Sequence, residues 1–155
     1  MRKLYSLGLP LMGLLVFSLA VFMVSNQEFK GIMDDFLSQR TDVMQNVMDG
    51  SLDYESGAAA LSLFESGQLL EQDLKAMKNW NDTCYDRISG FQIGRCQVVN
   101  ENEIGVVLSV AVIWEMYDLE GKYTLPENYL FVLEKNPAEG EWKLCEMRIR
   151  ESVHS

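Results

Sequence analysis

Twenty-one consecutive residues without a charge, Leu4 to Val24, constrain this chain more than any other feature. At about 1.5 Å of rise per residue, a helix of that length spans the roughly 30 Å hydrocarbon layer of a bilayer. The apolar core of a signal peptide is shorter, about 7 to 15 residues. Ser18-Leu19-Ala20 has the small-x-small look of a signal-peptidase site, yet cleavage there would leave Val21 to Val24 as an apolar free end. The run is therefore read as an uncleaved signal-anchor, with cleavage and release as the alternative. Arg2 and Lys3 are the only charges before it, which keeps the N-terminus cytoplasmic and places the rest outside the cell membrane. No cysteine lies near the run, which rules out a lipoprotein anchor.

The chain divides into a stub and anchor (residues 1–24), one extracytoplasmic domain (25–150) and a polar tail (151–155). Its 155 residues, 48% hydrophobic with three prolines, suffice for one folded core. Beyond Arg2 and Lys3, 11 basic residues face 23 acidic ones. Such a surface repels phosphate backbones, and no basic patch interleaved with aromatics offsets it, so nucleic acid is not an expected partner.

Ser25-Asn26-Gln27-Glu28 fits the S-x-x-E capping pattern, with Val24 and Phe29 placed as a hydrophobic staple. A new helix is thus expected at Asn26, the alternative being one helix continuous with the anchor. From Phe29 to Met48 apolar residues recur with a 3.6-residue period, and Asp49-Gly50 ends them. A second helix is expected over about Tyr54 to Glu65, with Ala58, Leu61 and Phe64 inward. A third, over Gln68 to Asn81, puts Leu70, Leu74 and Met77 on one side, with Trp80 a further candidate for it. Asn81-Asp82-Thr83 matches a glycosylation sequon, a match close to chance.

After Gly90 the period changes from 3.6 to 2. Phe91–Val99 reads as a strand with a bulge at Gly94, and Asn100 to Glu103 as a turn. Ile104–Tyr117 is the strongest strand pattern, with Val106, Leu108, Val110, Val112, Trp114 and Met116 in one phase and a mixed second phase. A hairpin at Asp118 to Gly121 leads into Lys122–Glu134, where Pro126 is expected to break the start. Glu141–Arg150 closes the meander, with a phase-shifting bulge near Leu144. The fold class is α+β: about three helices packed on an antiparallel sheet of about four strands.

The region from Phe91 to Ile149 resembles the cystatin-like or NTF2-like α+β superfamily. The long strand, the acidic hairpin at Gly121, the returning aromatic strand and the closing "GEWKLCEMRI" (Gly140–Ile149) carry the likeness. It implies a curved, cone-like sheet around the helices, a mouth able to hold a ligand, and dimerisation through the sheet. It further implies a bacterial type in which the domain hangs outside the membrane on one N-terminal helix, in some cases within an envelope assembly.

No stretch identifies a reaction. The only histidine, His154, stands one residue from the end of the sequence, so triads that need it would require the tail to fold back into a cleft. No cofactor motif or metal-ligand spacing occurs. Cys84 and Cys96 could close a loop worth about 3 kcal/mol. Cys145 would then be left over, and on balance no disulfide is expected. Glu115 interrupts a very apolar strand. With Tyr117 and Tyr129 it would ring the mouth of a cone, although a strand leaving the core explains it as well. The expectation is a non-enzymatic, membrane-anchored domain that binds a partner protein or a second copy through its sheet. A ligand-binding or enzymatic cone and a secreted free domain are the alternatives.

Overall fold

The computed structural model describes residues 8–80 and 86–150, with side chains from Asn26 onward. Three helices, α1 (Gly8–Met48), α2 (Tyr54–Phe64) and α3 (Gly67–Lys78), precede four strands. These are β1 (Arg87–Glu101), β2 (Gly105–Tyr117), β3 (Lys122–Lys135) and β4 (Trp142–Ile149), paired antiparallel in sequence order. This is the α+β plan the periodicities predict. The sequon, Cys84 and the tail fall outside the described residues.

The helix expected to start at Asn26 does not start there. Helix α1 runs unbroken through Ser25, so the capping box does not form. No glycine or proline stands between Val24 and Phe29 to stop a helix. Asn26 instead turns its side chain to the sheet, where Oδ1 accepts the Val98 N–H at 3.2 Å. Phe29 meets Trp142 edge-on, ring centroids 5.6 Å apart. The stop at Asp49-Gly50 stands as expected, with Gly50 at a φ of 77° in the left-handed region that suits glycine. Asp53 caps α2 by accepting the Ser56 N–H at 2.8 Å.

Helix α3 is rotated from its expected phase. Leu69, Asp73 and Met77 are buried, while Leu70 and Leu74 pack only partly. One residue is about 100° of helix rotation, and the ion pair that Asp73 makes, described below, holds α3 at this angle.

In the sheet, Val106, Leu108, Val110, Val112 and Trp114 all face inward and are buried, as their phase predicts. The pairing slips between Ile93 and Arg95, which places a bulge at Gly94. It slips again on β4, where Val132 faces Glu146 but Leu133 faces Leu144. Cys145 is therefore the extra residue, and Leu144 and Cys145 are both buried. Strand β1 begins four residues earlier than expected, with Arg87 opposite Tyr117. Pro126 does not break β3 but sits within it opposite Ile113. Strand β4 pairs with β3 only from Tyr129 onward, so at Pro126 the missing N–H removes no ladder bond on that side.

One apolar layer fills the space between the helices and the inner sheet face. Met33, Leu37, Leu61, Leu108, Val110, Phe131, Leu133 and Leu144 have no solvent exposure. No described element covers the outer face of the sheet, on which Ile113 and Tyr117 are 39% and 42% exposed.

Candidate functional site

The polar centre of the domain lies under the helices. Arg40 of α1 reaches across to Asp73 of α3 with a two-pronged bond, Nε to Oδ2 at 2.6 Å and a terminal nitrogen to Oδ1 at 2.8 Å. Planar guanidinium and carboxylate groups match in this geometry, which makes it stronger than a single bond. Arg40 Nε also stands 3.6 Å from Oε1 of Glu65, too far for a hydrogen bond. Glu65 and Asp73 are 1% and 4% exposed.

Position follows from local structure. Glu65 ends α2 with its N–H on the Leu61 carbonyl, and its backbone bridges Leu144 on the outer edge of β4. The next residue, Ser66, donates its N–H to the Leu144 carbonyl at 3.0 Å. Glu65 is thereby fixed between helix and sheet with its carboxyl turned inward. Burial and the neighbouring Asp73 push that carboxyl up to about 8, and Arg40 only partly opposes them. Ionised, neither Glu65 oxygen has a hydrogen-bond donor. Burial works against the charge on Arg40, but the bonds to Asp73 and the Asp73 charge outweigh it and keep the guanidinium charged. The cluster ties α1, α2 and α3 together and reaches β4 through the Glu65 backbone.

Beside it runs a second polar chain. The Trp114 indole N–H donates to the Tyr129 hydroxyl at 2.9 Å, and that hydroxyl donates to Glu127. Burial and the bond to Glu127 raise the Tyr129 phenol and hold it neutral.

The three residues expected at a cone mouth do not meet. Tyr129 points into the core at 4% exposure, whereas Glu115 and Tyr117 lie on the other face of the sheet. Glu115 accepts the Gln92 side-chain N–H at 3.1 Å and borders a shallow cavity of about 180 Å³ with Lys122 and Tyr123. Cys96 is a buried free thiol raised by burial, and its proposed partner Cys84 is among the residues not described. Cys145 is likewise a buried free thiol, 3.1 Å from the Ser66 hydroxyl. Among the described residues no group of three His, Cys, Asp or Glu is placed to hold a metal ion.

Arg40, Glu65 and Asp73 were not legible as a unit. Asp73 carried a partial signal, since it stands four residues after Leu69 and four before Met77, on the buried stripe itself. Glu65 read as the polar end of a helix, because nothing in sequence reveals its bridge to Leu144.

Among the residues described with side chains, no helix is long and apolar enough to cross a membrane, and Leu4 to Val24 lies outside that set. No family model and no curated protein matches the chain. Among solved structures it is similar to the crystal structure of the intermembrane space region of the chloroplast protein ARC6. Identity is 14%, the TM-score is 0.46, and the match covers 78% of this chain and 95% of that one. A likeness of that degree assigns no function.

Proposed function

We propose that this chain is a membrane-tethered, extracytoplasmic protein-interaction domain without an enzymatic role, acting within a cell-envelope or secretion-type assembly. The observation that carries the reading is the contrast between the two sheet faces. The inner face is filled by side chains with no solvent exposure. The outer face presents Ile113, Tyr117 and the half-buried Val107, Ala111, Leu130 and Val132 to solvent. A broad, partly apolar strand surface of this kind suits a protein partner, or a second copy of the chain. The order of helices followed by a four-strand meander is also what the cystatin-like and NTF2-like plan requires.

The tether is supported by the uncharged run Leu4 to Val24, by the positive residues before it, and by the continuity of α1 from that run into the core. Orientation follows from Arg2 and Lys3 remaining cytoplasmic. The test is purification of the full chain from membranes in mild detergent, with and without Ile113→Glu and Leu130→Glu on the outer face. A partner or self-association lost in these variants is expected. A monodisperse, unaccompanied wild-type monomer would sink the interaction reading. Recovery in the alkali-soluble fraction would remove the tether.

A further inference from the structure

The outer sheet face carries a charge balance opposite to that of the chain. Strand register assigns Arg87, Arg95, Lys122 and Arg148 to it, and Arg150, just past the end of β4, reaches over it to the Ser109 hydroxyl. Its acidic side chains are Glu115, Glu134 and Glu146. Glu115 is bonded by Gln92, and Glu146 is paired with Arg148. This basic balance belongs to a chain of net charge −10, whose helix α1 carries Glu28, Asp34, Asp35 and Asp42.

The arginines stand in order. One row across the sheet reads Arg95, Ala111, Asn128 and Arg150. Arg95 pairs with Ala111, Ala111 with Asn128, and the Arg150 N–H bonds the Asn128 carbonyl at 2.7 Å. Strands lie about 4.8 Å apart, so the two end backbones stand about 14 Å from each other, with short side chains between them. Along the strands, the half-buried Val107, Leu130 and Val132 lie to one side of that row and Ile113 to the other. An apolar stripe thus follows β2 and β3, with a guanidinium at each border. Arg95 is exposed and has no hydrogen-bond or ion-pair partner among the described residues.

We propose that this stripe receives an amphipathic helix of a partner protein, acidic along both flanks of its apolar side; the proposal rests on the outer face being an interaction surface. Strand ladders turn main-chain groups sideways, so a sheet face offers none to a partner. An extended segment laid on it would leave N–H and C=O groups unpaired, whereas a helix satisfies its own. A helix is about 10 to 12 Å wide with its side chains, which fits between the arginine borders. Carboxylates on its two flanks then meet Arg95 on one side and Arg150 on the other. A second copy placed face to face would bring two basic faces together. An anionic lipid surface would be repelled by Glu115 and Glu134, and the half-buried Val107, Leu130 and Val132 do not project for insertion.

The experiment uses the full chain in mild detergent and a fluorescein-labelled peptide of about 18 residues, about five helical turns. The peptide has a leucine stripe with glutamates on both flanks, and binding is read in excess of that to empty micelles. Three comparisons accompany it: lysines in place of the glutamates, the same glutamates moved to the side opposite the leucines, and phosphatidylglycerol added to the micelles as competitor. Binding of the glutamate peptide is expected to weaken about tenfold or more in the Arg95→Gln/Arg150→Gln chain, because two interfacial charge pairs are lost. The Lys75→Gln/Lys78→Gln chain, which loses the same charge on α3, is expected to change less than about twofold. The peptide with moved glutamates should bind several-fold more weakly, and the lysine peptide should not bind. Absence of glutamate-peptide binding, equal losses in both double variants, or a moved-glutamate peptide that binds as well would overturn the proposal. So would displacement by phosphatidylglycerol, since the face would then read anionic lipid. A partner or self-association that Ile113→Glu abolishes, in a chain that does not bind the peptide, would remove the acidic helix and leave the outer face an interaction surface.

Discussion

At the scale of single residues, Glu65 sets how stability depends on pH. Unfolded, it ionises near 4.5; folded, near 8. Between those values the folded chain holds a proton that the unfolded chain has released. Its contribution is therefore complete below about 4.5 and declines as pH rises toward 8, by up to about 1.4 kcal/mol per unit. Asp49 and Asp53 act in the opposite sense, held low by bonds from Ser51 and Ser56, but they lose their effect only as pH falls through the carboxylate range. The window from 5 to 8 thus belongs to Glu65. Denaturation at several pH values should show wild type weakening across it and Glu65→Gln nearly flat, with the variant more stable at pH 8. Parallel slopes would mean that the carboxyl is already ionised in the fold. Arg40 has the complementary role. Arg40→Met should cost about 3 to 5 kcal/mol by leaving Asp73 buried without its cation. Adding Asp73→Leu should recover most of that loss in urea titrations. A double variant as weak as the single one would show that shape, rather than charge, is what Arg40 supplies.

At the scale of elements, two close approaches and one rotation decide the packing. A Cβ placed on Gly57 would lie 2.4 Å from Val47 Cγ2, so α2 sits against α1 at a distance only glycine allows. Val47 is β-branched and has little rotamer freedom in a helix to move aside. Gly57→Ala is accordingly expected to destabilise by about 1 to 3 kcal/mol despite its gain in helix propensity. A stabilised variant in thermal melts would show that the helices have room to part. The second approach is at Gly105, where a Cβ would meet the Leu133 carbonyl oxygen at 2.9 Å. The rotation is that of α3. Period alone placed Leu70 and Leu74 inward, because a sequence pattern counts apolar residues and treats Asp73 as solvent-facing. The long-range partner Arg40, 33 residues earlier, reverses that assignment. The strands were more legible than α3, since the inward phase of β2 is buried from Val106 to Trp114 and the bulges at Gly94 and Cys145 show as breaks in phase. The start of β1 was not, because Arg87 to Gly90 takes its strand form from pairing with β2 rather than from its own composition.

At the scale of the whole molecule, the layer plan could be read from the change of period after Gly90, whereas the candidate sites could not. Glu115 and Tyr117 are polar groups in an apolar strand, yet strand parity puts them on the opposite face from Tyr129. The buried cluster joins residues far apart in sequence, and no local pattern connects Arg40 to Asp73. The domain core begins at Phe29, and every fully buried apolar side chain described lies beyond it. A chain beginning at Ser25 should therefore fold on its own, with near-UV circular dichroism and a melting midpoint close to those of the full protein in detergent. A molten spectrum from that shortened chain would mean that the preceding segment is part of the fold.

The continuity of α1 has a consequence for reach. On the tethered reading the domain has no swivel between itself and the bilayer, because the helix that leaves the apolar run is also the spine of the core. At about 1.5 Å per residue, Asp34 stands about 15 Å and Gln45 about 30 Å beyond Val24 along that axis. The domain is thus held at a set altitude. A partner rooted in the same membrane would meet the domain only if its own spacer matched that height, so the bilayer itself becomes a gauge of which partners can engage.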